Sequence, residues 1–214
     1  MKVGVIDYGV GNLGSVMQAL EELRVAPVLI SCATDMHDVD SLILPGVGNF
    51  ADCVQRLHKG GWFQSLQHEV QIRQKPLLGV CVGMQLLASC SMEGANGGAQ
   101  DGTPGLGLIP GRVEHLNSLG CNLRVPHVGW NAVTPVSMSG HLFDGIPVGT
   151  DFYFVHSYAF VPTNSADVIA TTDYGIPVTA AVRHGDVWGT QFHPEKSSRA
   201  GFQLLRNFIE NRSC

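Results

Sequence analysis

The sequence predicts a single α/β domain in which a mixed, mostly parallel sheet is flanked by helices. Three observations support this prediction. The chain has 214 residues, of which 44% are hydrophobic and 14% charged, and such a chain can bury a sizeable core. Its first half alternates short apolar runs with amphipathic segments, as β-α-β units do. Its second half contains short segments rich in Val, Tyr, Phe and Thr between Gly, Pro and Asp, which is typical of antiparallel strands. We find no internal repeat and no interdomain linker, so the domain is expected to span residues 1–214.

The elements of the first half follow from their apolar patterns. Strands are predicted at residues 3–6, 26–31, 40–46 and 75–80, and helices at residues 15–23, 51–73 and 83–90. Each strand is a short run of Val, Ile and Leu. The helices repeat apolar residues at intervals of three or four, as Val16, Ala19, Leu20 and Leu23 do in the first one.

The second half opens with residues 94–111, which are rich in turn formers and predict a surface excursion that ends in a tight turn. Strands are then predicted at residues 111–116, 128–136, 151–161, 168–175 and 178–194. The chain closes with an amphipathic helix at residues 198–211, whose apolar face carries Phe202, Leu205, Phe208 and Ile209.

Charge and cysteine content argue against several classes of protein. The net charge is −5 without a block of like charges, which does not suit a nucleic-acid-binding protein. The six cysteines form no C-x-x-C pair, so we expect reduced thiols rather than a disulfide framework or a zinc site. No apolar run approaches the 18 residues of a membrane span and no secretory segment is evident, so a cytoplasmic location is expected.

The loop after the first strand reads GVGNLG (residues 9–14), which matches the G-x-G-x-x-G pattern of dinucleotide-binding loops. Such a site also needs an acidic residue at the end of the second strand, but that strand ends at Ser31. The glycines therefore favour a tight turn that lets another part of the backbone approach closely. Binding of NAD or FAD stays as an alternative that a titration would test.

Cys81 is the strongest candidate nucleophile. It lies in GVCVG (residues 79–83), between a buried strand and a helix, where flanking glycines permit the cramped turn of a nucleophile elbow. A position at the start of a helix beside a base favours the reactive thiolate. A buried structural cysteine is the alternative, and the two glycines favour catalysis. Gln85, four residues on, projects from the same helix face.

His193 and Glu195 supply a candidate base and its orienting acid. Pro194 between them favours extended backbone, on which side chains two residues apart point the same way. The carboxylate can then orient the imidazole while the imidazole takes the thiol proton, as in a catalytic triad. The run LPGVGNF (residues 44–50) after the third strand offers backbone amides for an oxyanion.

Together these motifs resemble the class I (triad) glutamine amidotransferases. The runs LILPGVGNF, LLGVCVGMQLL and TQFHPEKS carry this resemblance. The runs IDYGVGNLGSV, PGLGLIPG, VPHVGWN and FYFVHSY resemble those glutaminase subunits of the family that serve histidine biosynthesis. The resemblance covers residues 3–208 and implies a flavodoxin-like architecture.

The resemblance implies a reaction. Cys81 attacks the side-chain amide of L-glutamine, His193 shuttles the proton and Glu195 orients His193, so that glutamate and ammonia are released. No metal and no organic cofactor is implied. The remaining residues that the family assigns are Gly46, Val47 and Gly48 for the oxyanion, and Gln85, His156, Ser157 and Tyr158 for the amino-acid end of the substrate.

The resemblance also implies a partner. In this subfamily ammonia passes to a separate (β/α)8-barrel synthase subunit, which closes an imidazole ring and releases an aminoimidazole carboxamide nucleotide. A heterodimer is therefore expected, in which the glutaminase is nearly idle until the partner binds its nucleotide. The residues expected at the interface are Tyr8, Gly11, Asn12, Trp130 and Lys196.

Some residues depart from the family pattern. Val80, Val82 and Val128 replace other apolar residues, and the link at residues 94–105 is longer than usual. Besides dinucleotide binding, three alternatives stay open from the sequence. They are a paralogous glutaminase that feeds a sugar amidotransferase of surface-polysaccharide synthesis, a cysteine peptidase or other hydrolase, and a non-catalytic binding module on the same fold.

Overall fold

The computed structural model describes residues 1–94, 102–136 and 141–210. The strands are β1 (Lys2–Ile6), β2 (Ala26–Ile30), β3 (Ser41–Gly46), β4 (Leu77–Cys81), β5 (Cys90–Ser91), β6 (Thr103–Pro104), β7 (Gly111–His115), β8 (His127–Pro135), β9 (Thr150–His156), β10 (Tyr158–Pro162), β11 (Val168–Asp173), β12 (Pro177–His184) and β13 (Val187–Thr190). The α-helices are α1 (Leu13–Glu22), α2 (Phe50–Lys59), α3 (Trp62–Gln67), α4 (Val82–Leu86) and α5 (Ser198–Glu210). A π-helical turn follows α3 at His68–Ile72, and short 3-10 turns lie at Ala33–Asp38, Leu116–Leu119, His141–Phe143, Ser165–Asp167 and Pro194–Lys196.

Two sheets organise these elements, and the larger one is the mixed α/β sheet that the sequence predicts. It has nine strands in the order β2-β1-β3-β4-β13-β12-β11-β8-β9, while the smaller sheet has four in the order β10-β7-β5-β6. The strands β2, β1, β3, β4 and β13 are parallel. The pairings from β13 through β12, β11 and β8 to β9 are antiparallel. The two kinds of pairing therefore occur in equal number, so the sheet is mixed as predicted but not mostly parallel.

The parallel part of the sheet places the candidate functional loops side by side. Every residue of β3 and β4 is buried, as expected where helices cover both faces of a parallel sheet. The carboxyl ends of β1, β3 and β4 lie at one edge, where ligands of such sheets bind. This edge carries the glycine loop (residues 9–14), the segment Gly46 to Gly48, and Cys81.

Four predicted elements differ from the observed ones. The strand predicted at residues 178–194 is divided into β12 and β13 by a turn at residues 185–186. The helix predicted at residues 51–73 is interrupted, because Gly61 adopts the left-handed conformation (φ 70°) between α2 and α3. The helix predicted at residues 83–90 ends as α4 at Leu86, since Cys90 joins the smaller sheet as part of β5. The strand predicted at residues 151–161 is two strands, because the chain leaves the larger sheet at Ser157 and enters the smaller one as β10.

The glycine-rich stretch at residues 94–111 is not wholly a surface excursion. Residues 95–101 lie outside the described ranges, so the predicted loop at residues 94–105 is described only at its two ends. Further on, Leu106 and Ile109 are fully buried, and their backbone N–H groups donate to the carbonyl oxygens of Leu86 and Leu87 at 2.8 and 3.0 Å. Their apolar side chains draw this part of the stretch into the core, so the prediction was wrong there. No helix in the described ranges is long and apolar enough to cross a membrane.

Candidate active site

Cys81 lies at the junction of β4 and α4 in the elbow conformation that its flanking glycines predict. Its backbone has φ 57° and ψ −113°, a combination that non-glycine residues rarely adopt. The glycines are required by close packing. A Cβ on Gly83 would lie 1.8 Å from the carbonyl oxygen of Leu44, and one on Gly79 would lie 2.5 Å from that of Gly83. The elbow is thus pressed against β3, and it holds the Cys81 side chain at the sheet edge.

His193 and Glu195 form a buried pair beside this elbow. The backbone is extended at His193 (φ −97°, ψ 97°), as predicted, but it enters a 3-10 turn at Pro194–Lys196, so the two side chains meet across a turn rather than along a strand. His193 Nδ1 donates to Glu195 Oε1 at 2.8 Å, and the two side chains are only 2% and 1% exposed. A short charged pair of this kind fixes the ring orientation and leaves Nε2 as the nitrogen available for chemistry.

The Nε2 atom of His193 is arranged to exchange a proton with Cys81. It is buried, and Cys81 is the neighbour with which it interacts. Burial alone lowers the pKa of His193, but hydrogen bonding and charge from Cys81 and Glu195 outweigh burial and raise the pKa to about 9. The imidazole is therefore held protonated at neutral pH beside the Cys81 sulfur, where it can pass its proton to a leaving group.

Two further groups contact the sulfur of Cys81. Gln191 Nε2 donates to Cys81 Sγ at 4.0 Å, and the carbonyl oxygen of Val155 lies 3.8 Å from the same sulfur. The sequence did not single out either residue. Gln191 lies two positions before His193, so the spacing that identified Glu195 could also have identified it.

A cavity of about 270 Å³ lies over this group of residues. It is lined by residues from β4, α4, β9 and β10 and from the loops beside them, namely Val47, Gly48, Cys81, Val82, Gln85, Glu93, Pro126, Val155, His156, Ser157, Tyr158 and His193. Most of the residues predicted for catalysis and substrate binding are among them. Gly46 does not line the cavity, but it pairs with Cys81, which does, between β3 and β4.

The segment predicted to bind the oxyanion, Gly46 to Gly48, is contacted by a residue of α2. The Cys53 thiol, on α2, donates to the carbonyl oxygen of Val47 at 3.6 Å. In a trans peptide the N–H points opposite to the C=O, so the Gly48 N–H faces away from α2. Gly48 has φ 91° and lines the cavity. The Gly48 N–H is therefore the candidate backbone donor to an oxyanion in the cavity.

The part of the cavity predicted to take the amino-acid end of the substrate is built from Gln85, Tyr158 and neighbouring polar groups. Gln85 Nε2 donates to the Tyr158 carbonyl oxygen at 2.9 Å and to Gln191 Oε1 at 3.0 Å. Both N–H bonds are thereby used, so an incoming ligand meets Gln85 through its carbonyl oxygen. The ring nitrogens of His156 are also engaged, with the Tyr158 carbonyl at 2.8 Å and with His127 at 3.0 Å, so His156 supports the wall of the cavity.

Glu93 contributes a carboxylate that the sequence did not single out. Its Oε2 accepts from the backbone N–H of Phe50 at 2.8 Å, and burial raises the pKa of its carboxyl group above the ordinary value. Glu93 directly precedes the glycine-rich stretch, with no motif around it. Its place in the cavity depends on the fold alone.

The residues predicted to face a partner lie in different environments. Trp130 is 53% exposed, and Lys196 is also exposed. Both lie against the Tyr153 ring, at 6.0 Å between ring centroids for Trp130 and 5.9 Å from Nζ to the centroid for Lys196. Tyr8, by contrast, is 6% exposed and lies beside Cys53, inside the protein.

The glycine loop of residues 9–14 approaches protein groups closely. A Cβ on Gly11 would lie 3.2 Å from Pro45 Cγ, and one on Gly9 would lie 3.1 Å from the Arg56 guanidinium. Asn12 precedes α1 without a side-chain capping bond. Within the described ranges, no group of three or more His, Cys, Asp or Glu residues could hold a metal ion.

Comparison with known proteins identifies the class to which this fold and site belong. The family model of class-I glutamine amidotransferases matches residues 4–211, and the chain belongs to this family. A solved structure, described as the crystal structure of a glutamine amidotransferase, is similar in fold with a TM-score of 0.74. It shares 22% identity and covers 97% of both chains.

Relatives within the family carry a more particular name. The imidazole glycerol phosphate synthase subunit HisH of Moorella thermoacetica is 44% identical to this chain, over 97% of the chain and 94% of the relative. The subunit HisH 2 of Vibrio vulnificus is 42% identical over 98% of the chain and 94% of the relative.

Proposed function

We propose that the protein is the glutaminase subunit of an imidazole glycerol phosphate synthase, which hydrolyses L-glutamine to glutamate and supplies ammonia for histidine biosynthesis. The observation that carries this proposal is the Cys81–His193–Glu195 arrangement at the wall of a cavity. The names of relatives that match nearly the whole chain support the choice of pathway. Residues 1–214 then form one amidotransferase domain.

The reaction follows from the positions of these groups. The Cys81 thiolate attacks the amide carbon of glutamine, and the resulting oxyanion accepts hydrogen bonds from the segment Gly46 to Gly48, including the Gly48 N–H. His193 gives its proton to the amide nitrogen, the C–N bond breaks and ammonia leaves. A glutamyl thioester remains on Cys81. His193 then takes a proton from water, the hydroxide displaces the sulfur and glutamate is released.

The cavity supplies partners for the charged end of glutamine. The Glu93 carboxylate is the natural acceptor for the α-ammonium group, together with the carbonyl oxygen of Gln85. Ser157 and Tyr158 also line the cavity, where they can hold the α-carboxylate. This arrangement selects a free amino acid over an internal residue of a peptide, so it disfavours a cysteine peptidase.

Ammonia must reach a second active site. We infer a cytoplasmic heterodimer with a (β/α)8-barrel synthase subunit that docks around the cavity mouth, so that ammonia passes through a channel rather than through bulk water. Trp130 and Lys196 form the exposed part of this docking surface. Gly11 and Asn12 lie on the loop that packs against Pro45, from which a partner can act on the oxyanion segment.

The proposal is tested by reconstitution with candidate synthase subunits. The chain is mixed with an imidazole-forming barrel subunit or with a sugar amidotransferase, and glutamate release is measured with and without the synthase nucleotide. Stimulation by the barrel subunit, and its loss in Cys81→Ala, is expected. Stimulation only by the sugar amidotransferase would redirect the protein to the paralogous role, and undiminished ammonia production by Cys81→Ala would exclude the mechanism.

A further inference from the structure

Behind the amino-acid end of the cavity, buried side chains form a continuous line of hydrogen bonds. Asn131 Nδ2 lies 3.4 Å from His127 Nε2, and His127 Nδ1 lies 3.0 Å from His156 Nε2. His156 Nδ1 then lies 2.8 Å from the carbonyl oxygen of Tyr158. His127 and His156 are both buried. We call this line, from Asn131 through the two histidines to Tyr158, the histidine relay.

The direction of the relay follows from its fixed end at Asn131. Asn131 Oδ1 accepts from the backbone N–H of Ala132 at 2.9 Å, and Asn131 Nδ2 donates to the carbonyl oxygen of Asp173 at 2.7 Å. The remaining N–H of Asn131 therefore faces His127 Nε2, which must accept. The His127 proton then sits on Nδ1 and is donated to His156 Nε2, so that His156 also carries its proton on Nδ1 and donates it to Tyr158.

Packing keeps both rings in this state. His127 is stacked between Tyr174 and Phe154, with ring centroids 3.9 and 4.8 Å away and interplanar angles of 19° and 16°. Burial lowers the pKa of His127 to about 4 and, with smaller effects from His127 and His193, lowers the pKa of His156 to about 3. Each ring is therefore neutral at pH 7 and carries one proton, as the relay requires.

The relay ends on an atom that also holds a substrate-binding residue. The Tyr158 carbonyl oxygen accepts from His156 and from Gln85 Nε2, the latter at 2.9 Å. Gln85 in turn bonds Gln191, which contacts the sulfur of Cys81. The bond from His156 to Tyr158 spans Ser157, where the chain passes from the larger sheet to the smaller one and lines the cavity.

We propose that His127, which does not line the cavity, is a positioning residue for glutamine. Through His156 it fixes the Tyr158 carbonyl and so sets the orientation of Gln85 and of the turn at Ser157. This inference rests on the proposed glutaminase function. It predicts an effect on the binding of the amino-acid end of glutamine, with little effect on the reactivity of the Cys81 thiol.

Three variants separate the relay from simple packing. His127→Phe keeps a ring between Tyr174 and Phe154 but cannot donate to His156. His127→Asn loses the ring but places its Nδ2 near the position of the histidine Nδ1, so it can still donate. Tyr174→Phe is the matched control, because it alters the same stack through loss of the bond from the Tyr174 hydroxyl to the Arg124 carbonyl, at 2.6 Å, and leaves the relay intact.

The variants are assayed as full chains in complex with the activating synthase subunit. His127→Phe should raise the KM for glutamine roughly tenfold with kcat changed less than about threefold, since one buried hydrogen bond on the binding wall is lost. His127→Asn should recover most of the KM, and Tyr174→Phe should leave it unchanged. Inactivation of Cys81 by iodoacetamide, which does not need the amino-acid end, should differ by less than about twofold among all of them.

An unchanged KM in His127→Phe, or an equal rise in the Phe and Asn variants, would overturn the inference while leaving the glutaminase function standing. Absence of glutaminase activity in the unsubstituted complex would instead remove the proposed function itself. A second measurement needs no variant and no activity. Side-chain ¹H–¹⁵N spectra of the full chain at pH 7 should show His127 and His156 as neutral Nδ1–H tautomers, and an Nε2–H tautomer at either ring would contradict the relay.

Discussion

In the proposed mechanism Glu195 acts on the thiol only through His193, which separates its role from that of Glu93. In Glu195→Gln the amide oxygen can still accept from His193 Nδ1, but the negative charge that helps to raise the pKa of His193 is lost. We expect kcat to fall by about 100-fold or more with KM little changed, because Glu195 does not line the cavity.

Glu93→Gln is the matched variant for that experiment. It removes a charge from the cavity wall without touching His193, so it should chiefly raise KM. The kcat and KM for glutamine are measured for both variants in complex with the activating subunit. A rise in KM as the main effect of Glu195→Gln would contradict its role as the residue that orients His193.

The buried histidines of the relay also make the stability of the fold depend on pH. Their pKa values, about 4 for His127 and about 3 for His156, lie below the value of about 6.5 expected in the unfolded chain. Below pH 6.5 the unfolded chain binds protons that the folded chain does not, so the stability present above pH 6.5 is lost as pH falls towards the folded values. Each group contributes about 1.4 kcal/mol per pH unit in that window.

His127→Asn removes one of these titrating groups and keeps the donor to His156. Urea unfolding at pH 5, 5.5 and 6 should therefore show a free energy of unfolding that falls less steeply with acid in His127→Asn, by about 1.4 kcal/mol per pH unit. Carboxyl groups titrate in both proteins and cancel from the comparison. Identical slopes would mean that His127 is protonated in the folded protein.

At the scale of single residues, the sequence predicts those site residues whose positions depend only on their neighbours in the chain. The geometry of Cys81 follows from the glycines on either side of it, and that of His193 and Glu195 follows from their spacing of two residues. The position of Glu93 could not be predicted in this way, because Glu93 reaches the cavity only when segments distant in sequence meet. His127 was visible inside the VPHVGWN motif, but its partner His156 lies on another strand, so their contact required the β8–β9 pairing.

At the scale of elements, the junction of β4 and α4 depends on the absence of a side chain at Gly83. A Cβ there would lie 1.8 Å from the carbonyl oxygen of Leu44, which is backbone of a buried strand and cannot move aside. We expect Gly83→Ala to destabilise the protein by more than about 3 kcal/mol or to prevent folding, as severe overpacking does. Urea unfolding measures the loss.

Gly14→Ala provides the control. Gly14 lies in α1, and a Cβ there meets nothing within 4 Å. Alanine is the better helix former, so this change should leave the free energy of unfolding unchanged or raise it by up to about 1 kcal/mol. If Gly83→Ala were as stable as Gly14→Ala, a Cβ at Gly83 would fit, and the close packing of the elbow against β3 would not require glycine there.

The order of the first-half elements could be predicted because apolar periodicity alone identifies strands and helices. Their ends could not be predicted as well. Gly61 breaks the helix predicted at residues 51–73, although a Gly-Gly pair in the sequence already signalled a turn. The division at Ser157 had no such signal, because β9 and β10 read as one alternating run until the two sheets are known.

At the scale of the whole molecule, the cavity opens beside an apolar patch on the outer strands of the larger sheet. Val128 pairs with Val155, and Trp130 pairs with Tyr153, so all four lie on one face of β8 and β9. Val128 is 56% exposed and Trp130 53% exposed, while Val155 also lines the cavity. Contiguous exposed apolar surface of this kind marks an interaction site.

Trp130→Ala tests whether this patch docks the synthase subunit. A half-exposed tryptophan at the centre of an interface contributes about 2 kcal/mol or more, so the Kd for the partner should rise roughly 30-fold. Glutaminase stimulation should then need more partner but reach its usual maximum, because Trp130 does not line the cavity. Ile72→Ala is the control, since Ile72 is 71% exposed and precedes β4, at the sheet edge opposite the elbow. Calorimetric titration with the barrel subunit gives the Kd of each variant, and equal values for Trp130→Ala and Ile72→Ala would place the docking surface elsewhere on the molecule.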